Sequence, residues 1–511
     1  MENILLLQSP PPKFEDIHKT IFTKGALEFV STLHRNFDAK IEQLYDNRHR
    51  RTIDLQSLPV LKFKQSPERN DKSWKITPLP TRLLNRHLDL GDVSASNRAH
   101  FVSALNEDVQ GVQVDFDDGH CPTWRNQLLA YHNVNLAVNG QLQGAPMTIT
   151  TCPLLMLRPR AWNMVEHNIL LRKSFEKQIF KIYEYELNDN PNATINNREL
   201  NSFDEIYYKI KMCSSKLLPT TSSNKVDIPS EVSHSRPRLP KLELPIFDGC
   251  NKEFLLPDRN KYVNMEQHFL KSYMKLVVDT CHRRGAPATG GMAAKMLKPA
   301  TDGTDSQSKE VISSILEAKL KEIDCGVDGF MVYDTRVVPH VNELWKKSGA
   351  TPNQISRTFD IEITAQDLLK IPSGGVTMQG LKHNVAISIL FIYYWLAGIG
   401  HFFYSGNIED SATAEISRYQ IWQWIRFSPP LEDEPTQKVT AQLVEQTASN
   451  FSAHAHKNLC RSNAERKRLT AARYMSLELF VARNPPEFIT SYLNDNHKFR
   501  TLHNKALLSN L

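Results

Sequence analysis

Leu154-Leu155-Met156-Leu157-Arg158-Pro159-Arg160-Ala161-Trp162 is an uninterrupted apolar run that stops abruptly at two arginines. Such a run predicts a strand buried on both faces, as in a parallel sheet covered by helices. Pro159 keeps Arg158 extended, so its guanidinium is expected at the C-terminal end of the strand. There it is placed to bind a carboxylate or an oxyanion. The alternative is a structural pair with Asp115 or Asp117.

Upstream, Gly111-Val112-Gln113-Val114-Asp115-Phe116-Asp117-Asp118 alternates apolar and polar residues and reads as a second strand. Its three carboxylates repel one another. A cation, an arginine or a bound proton must relieve that cost, unless the acids lie in solvent. Downstream, Ala286–Met292 reads as a short strand running into a glycine turn, where Gly290 and Gly291 allow close approach of a ligand. Gly329–Asp334 reads as a further buried strand and Phe359–Ile363 as a short one. Helical spacing separates them, over Tyr262–Arg284, Ser308–Ile323 and Val341–Ser348. Strands alternating with helices, charged residues at strand ends and no G-x-G-x-x-G favour a (β/α)8 barrel over a Rossmann sheet.

Around this barrel, assigned to residues 106–406, two helical pieces are expected. Residues 1–105 form an N-terminal clasp, with one apolar face over Lys24–Asn47 (Leu27, Val30, Leu33, Phe37, Ile41, Leu44). Residues 407–511 form a C-terminal helical domain. Between 170 and 255 the pattern is irregular and rich in Asn, Ser, Thr and Pro, with one helix expected at Ser202–Leu218. The barrel is therefore either complete or short of strands in this region.

The C-terminal piece opens on Asn407-Ile408-Glu409-Asp410-Ser411-Ala412-Thr413-Ala414-Glu415. Ala414, Ile421, Trp422 and Ile425 share a helical face, so the adjacent acids fall at a helix N-terminus. Asp is a favoured N-cap there. Apolar chain on one side also suits a carboxylate that must take a proton.

The 511 residues carry a net charge of +6, with 41% hydrophobic and 23% charged positions, which is globular composition. No dense Lys/Arg block marks a nucleic-acid partner, and the mild positive charge fits a polyanionic ligand such as a nucleotide or coenzyme A as well as it fits none. Seven scattered cysteines without C-x-x-C predict neither a disulfide framework nor a zinc site. Asn384–Tyr404 has no charged side chain, but Asn384, Ser388 and His401 within it favour a buried helix over a bilayer span. The terminal Ser509-Asn510-Leu511 resembles the Ser-Lys-Leu peroxisomal address, so the expected compartment is the peroxisome or glyoxysome, or the cytoplasm.

Four stretches together, in this order, resemble the malate synthase family. They are Val114–Asp118 with Pro122-Thr123-Trp124; Arg158–Trp162; Cys281–Gly285 with Gly290–Ala294; and Glu409–Glu415. Leu256-Pro257-Asp258-Arg259 and Thr351–Ile355 are also similar. The resemblance implies a barrel with helical clasp and plug, and condensation of acetyl-CoA with glyoxylate to malate and free CoA. It implies Asp410 as the base that takes a methyl proton and Arg158 as the group that holds glyoxylate and stabilises the enolate. Asp117, Asp118, Gly290, Gly291 and Met292 would lie at the substrates.

A magnesium ion is also implied, held in the family by a Glu ending a barrel strand and an Asp in a Gly-Arg-Trp-Asp motif. Neither motif is visible. Leu239-Pro240-Lys241-Leu242-Glu243 resembles the family's strand, but the chain then reaches Leu256 much too soon. Glu243 and Asp248 are the nearby acids, offered as substitute ligands. The alternative is an inactive relative that lacks the magnesium site.

Overall fold

The computed structural model describes residues 4–6, 9–57, 63, 66, 67, 71, 73–146, 152–171, 217–219 and 255–495, except 162, 299–302, 304, 360–361 and 484. The strands in chain order are β1 (Ile4–Leu6), β2 (Leu88–Val93), β3 (Gly111–Asp115), β4 (Leu154–Arg158), β5 (Ile169–Leu171), β6 (Leu217–Pro219), β7 (Ala288–Ala293), β8 (Gly329–Val332), β9 (Phe402–Tyr404) and β10 (Asn407–Glu409).

One sheet runs in the order β4-β3-β2-β8-β7-β6. All neighbours are parallel except β6, which runs antiparallel to β7. The order decides the architecture. On one side of β2 the chain ascends, to β3 and β4; on the other it descends, from β8 to β7. An open doubly wound sheet ascends on both sides of its first strand. Only a ring seats the last strand beside the first. The described strands are thus an arc of a βα barrel, and the β8–β2 pairing is its closure.

Parallel neighbours need crossovers. The Arg98–Leu105 helix joins β2 to β3, Trp124–Val138 joins β3 to β4, and Ser306–Asp324 joins β7 to β8. The barrel core includes Leu88, Leu90, Val112, Val114 and Phe330 from the strands and Phe101, Val277 and Trp345 from the helices. Packed against each other, Met378–Trp395, Ser411–Phe427, Ala441–Asn458 and Asn463–Val481 build a second core around Phe391, Trp395 and Trp424. The uncharged run is therefore the central helix of this unit. Among the described residues, no helix is long and apolar enough to cross a membrane.

Several expectations change. β2 lies within the stretch assigned to the clasp, yet it is a fully buried sheet strand. Met378–Trp395 lies within the stretch assigned to the barrel, yet it packs on the C-terminal helices. β4 is only half-buried, and Leu157 is 54% exposed, because β4 pairs with β3 along one edge and with no described strand along the other. Gly290 and Gly291 sit inside β7 rather than in a turn. Phe359 and 362–363 form no strand; Thr364 instead caps a short helix, Ala365–Leu369. The end of the helix expected at Ser202–Leu218 is strand β6, and the rest lies outside the described residues.

The clasp helix runs Lys24–Ser57, and its expected apolar face is turned outward: Val30, Leu33 and Phe37 are exposed. The helix is anchored further along, by buried Tyr45 and by Arg48 paired with Glu487.

Candidate active site

Parallel pairing of β3 and β4 sets Asp115 opposite Arg158. The Asp115 carboxylate then shapes the turn that follows it. Its Oδ1 accepts the Asp117 N–H at 2.8 Å, and its Oδ2 accepts the Gly119 N–H at 3.1 Å. A Cβ on Gly119 would lie 2.9 Å from the carbonyl oxygen of Asp92, so the turn can close on β2 only with glycine here. The closed turn brings Asp117 and Asp118 back over the strand end. Arg158 donates from Nη1 to Asp115 Oδ2 at 3.1 Å, and from Nη2 to Asp117 Oδ2 at 2.5 Å and to Asp118 Oδ2. All four side chains are buried. Arginine thus relieves the repulsion anticipated from the three acids, and the pairing proposed as the structural alternative exists, with Asp118 added. Such charge-assisted bonds hold the guanidinium in one orientation.

Asp410 enters from the other core. It ends the hairpin of β9 and β10 and is the N-cap of the Ser411–Phe427 helix. Its Oδ1 accepts the N–H groups of Ala412 and Thr413 at 2.9 and 3.1 Å, while its own N–H bonds Thr413 Oγ1 at 3.0 Å. Two attachments seat this hairpin on the barrel. Beyond β7, the Ile408 N–H bonds the Ala294 carbonyl at 2.8 Å and the Met296 N–H bonds the Gly406 carbonyl at 2.9 Å. Next to Asp410, Ser411 Oγ donates to Asp118 Oδ1. Arg158, Asp118, Ser411 and Asp410 therefore form one connected line across the two cores.

Glu409 is buried beside Asp410, and burial pushes its carboxyl upward against the pull of Arg259 and Thr413. Arg259 lies under the helix start, donating from Nη2 to Ser417 Oγ at 2.9 Å. Burial lowers its guanidinium, opposed by Glu409, Asp258 and Asp410.

Met292 reaches across the sheet: a Cβ on Gly91 of β2 would meet its sulfur at 3.0 Å. Gly290 and Gly291 stay in β7, where the Gly291 carbonyl accepts from the buried Lys319 at 2.7 Å. Glu243, Asp248 and Ser509–Leu511 lie outside the described residues. Among the described residues, no group of three or more His, Cys, Asp or Glu side chains could hold a metal ion. The carboxylates of the acidic turn are directed at Arg158 instead, so the described residues do not fit the implied magnesium ion.

Ser411, Tyr333 and His401 were not among the expected site residues; Ser411 gave a signal through the Glu409–Glu415 stretch and His401 as a polar side chain in an otherwise uncharged run.

Parallel strands ending in a guanidinium held by carboxylates, closed by a helix N-terminus bearing an aspartate, define a barrel enzyme with its chemistry at the C-terminal strand face. Residues 248–371 match the family model described as malate synthase, TIM barrel domain, and residues 375–496 the one described as malate synthase, C-terminal. The glyoxysomal malate synthase of Candida tropicalis is 28% identical, over 94% of this chain and 94% of that protein. Malate synthase of Oryza sativa subsp. japonica is 27% identical, over 87% and 86%. The bifunctional glyoxylate cycle protein of Caenorhabditis elegans is 28% identical, over 92% of this chain and 52% of that protein. The chain belongs to the malate synthase family. The C-terminal match includes Asp410, whereas Arg158 and the acidic turn lie outside both matched ranges.

Proposed function

We propose that this chain condenses acetyl-CoA with glyoxylate and hydrolyses the resulting thioester, releasing malate and CoA. The observation that carries the reading is the line Asp410–Ser411–Asp118–Arg158, which joins a carboxylate to a permanently charged guanidinium at the strand ends.

The chemistry asks for both. Asp410 takes a proton from the acetyl methyl group, and the electron pair moves onto the thioester oxygen as an enolate. Arg158, charged at every working pH, stabilises that oxygen as its charge develops. The enolate carbon then attacks the aldehyde carbon of glyoxylate, whose carboxylate Arg158 also attracts; the C=O π pair moves onto the aldehyde oxygen, which takes a proton and becomes the malate hydroxyl. Water cleaves the thioester, and the CoA thiol leaves. Asp115, Asp117 and Asp118 keep the guanidinium aimed, so little reorganisation is needed during the reaction. The family resemblance implies a magnesium ion, which the described residues do not fit, and no step is routed through it. The steps above run through this chain's own side chains.

Glyoxysomal naming of relatives from Candida tropicalis and Gossypium hirsutum supports a peroxisomal or glyoxysomal location, with the cytoplasm as the alternative. The deciding experiment is glyoxylate-dependent release of thiol from acetyl-CoA by the purified full-length chain with magnesium added. Release above the no-glyoxylate control supports the reading. A folded protein with no release would establish the inactive relative in its place.

A further inference from the structure

Between the acidic turn and the C-terminal domain lies a hydrogen-bonded chain that the mechanism above does not use. We infer that His401 is a positioning residue, which, through the relay Tyr333–His401–Gly119, fixes the acidic turn that aims Arg158. This inference rests on the proposed condensation.

Start with the tautomer. His401 Nδ1 lies 2.8 Å from the carbonyl oxygen of Gly119. A carbonyl only accepts, so Nδ1 carries the proton. The neutral ring then offers Nε2 as an acceptor, and Tyr333 Oη, 2.8 Å away, donates to it. In the neutral ring the directions are therefore Tyr333 O–H to His401 Nε2 and His401 Nδ1–H to Gly119. Tyr333 follows β8, and its ring contacts His100 at 5.2 Å and His401 at 5.5 Å between centroids.

Gly119 is the point where this matters. Its N–H is bound by Asp115 Oδ2, the same oxygen that accepts from Arg158 Nη1. Its carbonyl is bound by His401. Gly119 is thus fixed through its N–H by the arginine's own partner and through its C=O by the C-terminal domain, so the two peptide units that flank it are both held. Asp117 and Asp118, which hold Arg158 Nη2, lie directly before it.

The seam does not depend on this relay for its existence. Asn126 Nδ2 donates to the Gly398 carbonyl at 2.7 Å, and Cys121 Sγ lies 3.4 Å from the Trp395 carbonyl. Gly400 packs directly on the His120 backbone, where a Cβ would stand 2.6 Å from the carbonyl carbon. Removing the relay should leave the domains docked while the acidic turn loosens. A displacement of a catalytic group by about 1 Å costs up to ~100-fold in rate.

The test uses full-length protein. Tyr333→Phe removes one hydrogen bond and should lower kcat about tenfold with the KM for acetyl-CoA unchanged. His401→Asn keeps a short amide donor toward Gly119 and should resemble Tyr333→Phe. His401→Leu breaks both bonds and should cost more, and adding Tyr333→Phe to it should cost nothing further. Independent effects of the two substitutions, or a change confined to KM, would overturn the inference. A second readout needs no activity: nitrogen-15 NMR of histidine-labelled protein, with the His401 signal assigned by its loss in His401→Asn. The relay requires the Nδ1–H tautomer, and an Nε2–H tautomer would overturn it. If the wild-type chain releases no thiol, the functional reading fails, and the tautomer still decides the relay.

Discussion

His120 turns the packing of the acidic turn into a stability measurement. It is 1% exposed, bonded through Nδ1 to Ser94 Oγ at 2.9 Å, and its Nε2 is buried with no partner among the described residues. Burial drives its pKa down from 6.5 to about 4, outweighing the attraction of Asp115; Arg160 and His401 push in the same direction as burial. In the unfolded chain the ring regains an ordinary pKa near 6.5. Between those two values the unfolded state binds a proton that the folded state does not, so stability rises with pH through this window and is lost as pH falls. At about 1.4 kcal/mol per pH unit, the loss from His120 alone reaches about 3 kcal/mol at pH 4.

The perturbation is His120→Gln, and the assay is urea unfolding of both proteins at a series of pH values from about 7 to about 4. The substitution carries a constant cost from the altered Ser94 contact, visible at pH 7. On acidification the wild type should lose about 3 kcal/mol more than the variant, so the gap between them should shrink or reverse. His100 and His383, also held near 4 chiefly by burial, titrate in both proteins and drop out of the difference. Parallel stability curves across the whole range would refute the reasoning, because they would mean that His120 takes up its proton in the folded state.

Other outcomes follow from the same geometry. Asp410→Asn should abolish exchange of the acetyl methyl protons with solvent while acetyl-CoA still binds, since shape is kept and the base is removed; retained exchange, followed by NMR in deuterated buffer, would contradict the role. Arg158→Lys should lower kcat at least ~100-fold, because one ammonium cannot reproduce a fork that serves three carboxylates; near-normal steady-state turnover would count against it. Glu409 is pushed up by burial, so its ionisation costs the folded state increasingly as pH rises above the unfolded value near 4.5. Glu409→Gln should therefore raise Tm relative to the wild type at neutral pH, with the advantage fading as pH falls to that value. A Tm difference that does not vary with pH would be inconsistent.

The parts of the fold legible in the sequence were those written in local pattern. Alternation through Val112, Val114 and Phe116 gave β3, and the apolar run gave β4. Asp410 at the start of the helical spacing gave the helix cap, because capping is settled locally. What failed was whatever depends on partners far along the chain. β4 looked doubly covered, but its burial depends on its second edge. The clasp stripe of Val30, Leu33 and Phe37 has helical spacing, but spacing says only that the residues share a face, not that the face meets the core. The glycines of β7 looked like a turn because glycine disfavours strands, yet both lie inside the strand. Ser411–Asp118 and His401–Gly119 join residues 293 and 282 positions apart, and no local pattern encodes such pairs.

The site is therefore a property of the seam between two cores. Arg158 and its acids are held by β3, β4 and the barrel interior. Asp410 is held by a hairpin that leaves the second core and pairs with the chain beyond β7. Neither unit carries both groups. The contacts joining them near the site are hydrogen bonds from Ser411, His401 and Asn126 and the close approach of Gly400, beside the apolar packing of Cys121, Ala161 and Met164 in the second core. Polar contacts of this kind specify geometry more than they add stability, because an unmade buried hydrogen bond costs more than a made one gains. A seam built from them tolerates one correct docking and penalises near misses. That requirement suits a reaction whose base and oxyanion partner arrive on separate halves of the chain.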